Sequence, residues 1–154
     1  MTGALIKASL TGGLIAGTVD IVAAALVYHV DPRRILQSVA VGVLGRGSFQ
    51  MGLHSVLTGA FWQVVISLGA AFIYCAAATR LNVLRRRPLV CGLLFGAACN
   101  LFLFFIVIPL SAAKQGVIGS YGFNMNLLLN TLLFGTPIAY AARRFLTGQS
   151  LRHN

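Results

Sequence analysis

The stretch LTGGLIAGTVDIVAAALVYHV, residues 10–30, decides how this chain is read. A helix crosses a hydrocarbon core of roughly 30 Å with about 20 mainly apolar residues. This run has that length, and Asp20 is its one charged interruption. Further along, residues 56–79 and 89–110 meet the same criterion. A fourth segment, 125–142, is shorter and has room to start near Phe123, with Asn124 and Asn126 at headgroup level. No stretch long enough for a separate soluble domain remains. The 154 residues are therefore expected to form one all-α, integral membrane four-helix bundle. The other reading of residues 10–30 is a secretory signal behind the lone Lys7. Signals carry an apolar core of about 7–15 residues, so the longer run and its internal acid point to an uncleaved span.

Of the residues, 58% are hydrophobic and 9% charged, and the mean hydropathy is +0.86. A soluble domain has about a quarter charged residues and just under half apolar ones. Too few groups are available here to keep a surface wet, which excludes a soluble globular fold. The net charge of +10, from 12 Lys and Arg against 2 Asp and Glu, is also the balance of many nucleic-acid binders. Here the cations interrupt apolar runs and form no helical stripe. The expected partner is the lipid bilayer, with a second copy or another membrane protein beside it, and no nucleic acid.

The same cations set the orientation, because Lys and Arg collect in cytoplasmic loops. Lys7, Arg80, Arg85, Arg86, Arg87, Arg143, Arg144 and Arg152 lie on the side of the termini, against Arg33, Arg34, Arg46 and Lys114 opposite. Both termini are expected to face the cytoplasm. Arg33, Arg34 and the run Arg85-Arg86-Arg87 are expected at lipid headgroups, where an anionic leaflet attracts each cation by about 1 kcal/mol.

Between the first two spans, Asp31-Pro32 is a strong helix start, with Asp as cap and Pro at the first helical position. Apolar residues then recur at Ile35, Leu36, Val39, Ala40, Val43 and Leu44 with helical spacing. This predicts an amphipathic helix over residues 32–44, too short to span. It is read as lying in the interface, with a re-entrant element as the alternative; Gly42, Gly45, Gly47 and Gly52 permit the chain to turn sharply after it.

A tandem duplication of a helical hairpin is also legible. Gly13-Leu14-Ile15-Ala16-Gly17 in the first span matches Gly92-Leu93-Leu94-Phe95-Gly96 in the third. Gly69, Tyr74 and Cys75-Ala76-Ala77 in the second match Gly135, Tyr140 and Ala141-Ala142-Arg143 in the fourth. The longer separation in the first half is close to the length of the segment after Pro32. Parallel repeats of this kind relate by an axis along the membrane normal; chance matching among Gly-, Ala- and Leu-rich spans is the rival reading.

Asp20 is the leading candidate for chemistry. An ionised acid near a span's centre costs about 2.5–3.5 kcal/mol on translocon scales and is a functional-site hypothesis by default. At 100° per residue, Gly13, Gly17, Asp20 and Ala24 fall within about 60° of one another. Asp20 thus shares the small-residue face that admits close helix approach. It reads either as a proton- or cation-exchanging carboxylate or as a hydrogen-bonded link to the third span. Asn100 is its expected partner, near the Gly92/Gly96 face, with Gln63, Ser67, Asn130, Thr131 and Thr136 as further polar groups. Pro137 leaves the Leu133 carbonyl without its usual donor.

Other chemistry is poorly provided for. Cys75, Cys91 and Cys99 form no Cys-x-x-Cys pair and read as small hydrophobes. His29, His54 and His153 have no metal-site spacing, so no metal or cofactor is expected. Gly45-Arg46-Gly47 lacks the strand–turn–helix context of a phosphate loop. With no Ser/His/Asp set and no paired carboxylates, catalysis is not expected.

Several stretches together resemble a family of uncharacterised small bacterial four-helix inner-membrane proteins. They are Gly17-Thr18-Val19-Asp20-Ile21, Arg34-Ile35-Leu36-Gln37-Ser38-Val39-Ala40 with Gly42 and Leu44-Gly45, Arg87-Pro88 before Gly92-Leu93-Leu94-Phe95-Gly96, and Val107-Ile108-Pro109-Leu110-Ser111. The resemblance implies a four-helix inner-membrane protein and transfers neither an activity nor site residues. Small multidrug exporters also place one acid in their first helix, but theirs is a Glu in a shorter chain, an analogy only. The expected role is non-enzymatic, through helix packing or assembly. The alternative is a small proton-coupled transporter or ion channel using Asp20, and a third idea is lipid handling by Arg33 and Arg34.

Overall fold

The computed structural model describes residues 2–112 and 121–150. Lys114, Arg152 and His153 lie outside them. Among the described residues all regular structure is helical. Four helices are long and apolar enough to cross a membrane: Gly3–Tyr28, Gly52–Arg80, Pro88–Leu110 and Asn124–Leu146, the first to fourth spans. The all-α four-helix expectation holds, with a short helix, Pro32–Leu44, between the first and second spans.

Two boundaries differ from the expectation. The first helix starts at Thr2, not near residue 10. Lys7 is exposed on its surface, where a flexible stem carries the ammonium to water without ending the helix. The fourth helix continues to Ser150, past the expected 142. Arg143 and Arg144 face outward while Leu146 is buried against Ala8 and Ala142, so packing on the first span prolongs it.

Packing follows stripes of residues four apart, the ridge spacing that interdigitates in helix pairs. In the second span the stripe is Ser55, Gly59, Gln63, Ser67, Ala71 and Cys75. In the third it is Pro88, Gly92, Gly96 and Asn100. Asn130, Phe134, Ile138, Ala142 and Leu146 form it in the fourth. The first span packs on the second and fourth, and the third packs on the fourth. Contrary to expectation, the Gly13/Gly17 face of the first span meets the second span and not the third. A Cβ at Gly17 would sit 2.7 Å from the Ser67 hydroxyl, and one at Gly13 would lie 2.9 Å from the Ser67 carbonyl oxygen. Gly92 and Gly96 close on the fourth span, where a Cβ at Gly96 would run into the Asn130 carbonyl. Each hairpin has its own glycine seam, but the expected repeat is not matched residue for residue: Gly69 faces open space where Gly135 meets Gly92, and Tyr74 is buried where Tyr140 is exposed.

The third and fourth spans each widen into one π-helical turn, Leu103–Val107 and Asn130–Phe134. Proline explains both. Pro109 and Pro137 lack an N–H and press on the carbonyl four residues earlier. Those carbonyls belong to Phe105 and Leu133, each inside the widened turn, and the extra residue per turn moves them aside. Thr136 adds a hydroxyl bond to the Leu132 carbonyl at 2.6 Å.

The first span ends in a Schellman closure. His29 takes a left-handed φ of 53°, its N–H reaches the Leu26 carbonyl, and the Val30 N–H reaches that of Ala25 at 3.1 Å. Asp31 then caps the loop helix, accepting from the Arg33 N–H at 2.7 Å. That helix is docked, not free in the interface. Its Leu36 carbonyl lies directly on Gly59, seven residues into the second span, or about 10 Å at 1.5 Å per residue. Beyond it, the Ala112 N–H donates to the Gly42 carbonyl at 3.0 Å, so the helix straps the first two spans to the end of the third.

Candidate functional site

Asp20 sits eight residues from the end of the first helix, about 12 Å in, because that helix is longer than residues 10–30 suggested. Its Oδ2 accepts a hydrogen bond from Gln63 Nε2 at 3.0 Å, and the same amide lies 3.5 Å from the Gly17 carbonyl oxygen. Gln63 is 8% exposed, and Asp20 is partly buried. The acid is thus held within its own hairpin by the small-residue stripe of the second span, not by Asn100.

A cavity of about 130 Å³ lies beside Gln63, lined mostly by apolar groups such as Leu14, Ile21, Leu36 and Val64, and Asp20 is not among its lining residues. Thr18 spends its hydroxyl on the Leu14 carbonyl at 2.8 Å and Ser67 on that of Val64 at 3.1 Å. Gln63 is therefore the side-chain donor that faces the carboxylate. The arrangement holds the Asp20 carboxylate on one amide donor, and the neighbouring cavity is largely apolar.

Asn100 has a different partner. Asn130 Nδ2 donates to Asn100 Oδ1 at 3.1 Å, both residues being buried, and Asn100 Nδ2 makes no further bond. The pair links the third and fourth spans, as Asp20 and Gln63 link the first and second. The positions are not equivalent: Cys99, not Asn100, follows Gly96 by three residues as Asp20 follows Gly17, and Asn130 precedes Gly135 by five where Gln63 precedes Gly69 by six. Two sites result, one ionisable and one neutral, each confined to its hairpin.

The expected headgroup arginines divide similarly. Arg33, Arg34, Arg86 and Arg87 are exposed. Arg85 is instead folded inward, donating through Nη1 to the Leu146 carbonyl at 3.3 Å and through Nη2 to Asn82. It ties the short helix Asn82–Arg86 to the fourth span, so its charge serves packing.

A polar cluster at the base of the first loop was not foreseen. Ser48 Oγ donates to the Gln37 carbonyl at 3.0 Å, Gln37 Nε2 donates to Ser55 Oγ at 3.2 Å, and Ser55 Oγ donates to the Gly52 carbonyl at 2.9 Å. The four-residue stripe from Ser55 to Cys75 was the available signal, since its small and polar members mark a face that other backbone must approach closely.

These features define a multi-pass helical membrane protein. Compared with models of protein families, with curated proteins and with solved structures, the chain has no match.

Proposed function

We propose that this is a bacterial inner-membrane protein, both termini cytoplasmic, that works without catalysis through helix packing and assembly in the bilayer. One observation carries the reading: the polar side chains deepest in the spans are spent pairwise inside separate hairpins. Asp20 is bound to Gln63 and Asn100 to Asn130, and the two pairs do not converge on a common chamber. The outward faces are apolar, with Leu94 68% and Phe102 56% exposed on the third span, surfaces that suit lipid or another membrane helix. The excess of cations on the side of the termini supports the orientation, and the quoted motif stretches support the family.

The test is the assembly state. Native mass spectrometry and crosslinking in membranes are expected to find the chain in a defined complex, with itself or another membrane protein. A monomer alone in native membranes refutes the reading. The carboxylate within the first span favours one second reading, a proton-coupled transporter. Reconstituted flux that disappears in Asp20→Asn, with folding and assembly intact, would establish it; flux unchanged by that substitution would remove it.

A further inference from the structure

The second and third spans are consecutive in sequence yet diverge in space, one packed on the first span and the other on the fourth. Between them runs an apolar groove of about 370 Å³, lined by Ile73, Tyr74 and Ala77 on one side and by Leu94 and Phe95 on the other. That volume lies in the range of about 300–1,000 Å³ typical of ligand sites. The groove floor is stitched by Tyr74, whose ring meets Phe95 edge-on with centroids 5.0 Å apart. The Tyr74 hydroxyl is spent on the Leu84 carbonyl at 3.2 Å, so the floor offers carbon, not hydrogen-bonding groups. Ile73 and Leu94, 64% and 68% exposed, leave the groove open toward the surrounding hydrocarbon.

One end of the groove is strongly basic. Ala77 and Leu84 line it; Arg80 follows Ala77 by three residues on the same side of the second span, and Arg87 is the cap from which the third span starts. Arg87 also precedes the lining residue Cys91 by four. Arg80, Arg86 and Arg87 are all exposed, and no acid lies near them in sequence, the two in the chain being Asp20 and Asp31. Carbon in the groove and cations at one mouth are the two halves of one recognition pattern.

We propose that this groove binds an anionic glycerophospholipid from the leaflet at the termini side. One acyl chain lies along Tyr74 and Phe95, and the phosphate rests against Arg80 and Arg87. The proposal rests only on the membrane-spanning architecture and is independent of how the protein assembles. A bound chain would complete the side of the bundle where the second and third spans make little contact with each other.

The test uses the full chain in phosphatidylcholine bilayers with a small fraction of phosphatidylglycerol carrying a diazirine in its acyl chain. Photolabel is expected on the peptides around Ile73–Ala77 and Cys91–Phe95, above the level on the outer faces of the first and fourth spans. Removing Arg80 and Arg87 together (Arg80→Gln, Arg87→Gln) is expected to lower labelling there about 30-fold at limiting probe, about fivefold for each cation. Arg33→Gln with Arg34→Gln leaves it unchanged. A phosphatidylcholine diazirine probe is expected to label the groove no more than the other faces. Equal labelling of the groove by both probes, or labelling unaffected by loss of Arg80 and Arg87, overturns the proposal. Absence of label from every span overturns the membrane architecture itself.

Discussion

Replacing Gly96 by Ala tests whether the glycine seams hold the hairpins. A Cβ at this position runs into the Asn130 carbonyl, whose carbon would lie 2.8 Å away, and Thr131 Cα would lie at 2.9 Å. Ordinary contact begins near 3.4 Å, so the third and fourth spans must part by more than the 0.6 Å that the Asn130 carbonyl carbon alone lacks. The obstruction is backbone on a helix and has no rotamer by which to yield. Overpacking of this kind costs about 1–3 kcal/mol. Separation also stretches the Asn130–Asn100 hydrogen bond from 3.1 Å, and interhelical bonds in membranes average about 0.6 kcal/mol. Gly69→Ala is the matched control, since nothing lies within 4 Å of a Cβ there. Both substitutions gain the same helix propensity, up to about 1 kcal/mol, so their difference isolates the seam at about 2–4 kcal/mol. Unfolding by SDS titration in mixed micelles, followed by fluorescence of the single tryptophan Trp62, measures it. If Gly96→Ala matches Gly69→Ala within about 0.5 kcal/mol, the usual scatter of independent substitutions, the close approach does not exist as described.

Three further outcomes use the same unfolding assay. His29→Gly is expected to stabilise the protein by about 1 kcal/mol, because the left-handed conformation at the end of the first span strains any residue with a Cβ. Asp31→Ala is expected to cost about 1 kcal/mol and to speed hydrogen exchange at the Arg33 amide it caps. Gln63→Leu removes the donor to Asp20 and is expected to cost about 1–3 kcal/mol, the penalty for stranding a polar partner; an unchanged midpoint would show that Asp20 is satisfied by water.

The spans and the loop helix were readable because hydropathy and capping act locally. Asp31-Pro32 dictates a helix start whatever surrounds it, and the loop helix ends at Leu44 as its spacing implies. Partner choice was not readable in the same way. The Gly13/Gly17 face announces a close neighbour without saying which, and three other spans could have supplied it. The second span's stripe of Ser55, Gly59, Gln63 and Ser67 held the answer, since a narrow, polar-lined face needs an equally flat one opposite. The outward extension of the fourth helix depends on Leu146 finding Ala8, a contact between opposite ends of the sequence. Arg85 shows the converse limit: in a basic run its neighbours meet solvent, while it alone finds the Leu146 carbonyl.

The two hairpins also supply a comparison that sharpens the question of Asp20. One hairpin is closed by a carboxylate and an amide, the other by two amides. Packing alone is met by the second solution, and an ionised acid in a span costs about 2.5–3.5 kcal/mol more than a neutral group by translocon scales. Asp20→Asn converts the first pair into the chemistry of the second, with the new amide oxygen still able to accept from Gln63. If Asp20 serves packing, Asp20→Asn unfolds no earlier than the unsubstituted protein, gains up to about 3 kcal/mol, and leaves assembly unchanged. A loss of stability would mean that the charge itself is balanced in the fold, by groups the hydrogen-bond geometry does not include. Stability gained together with a cellular function lost would separate the two roles, and the carboxylate would then be kept for proton exchange.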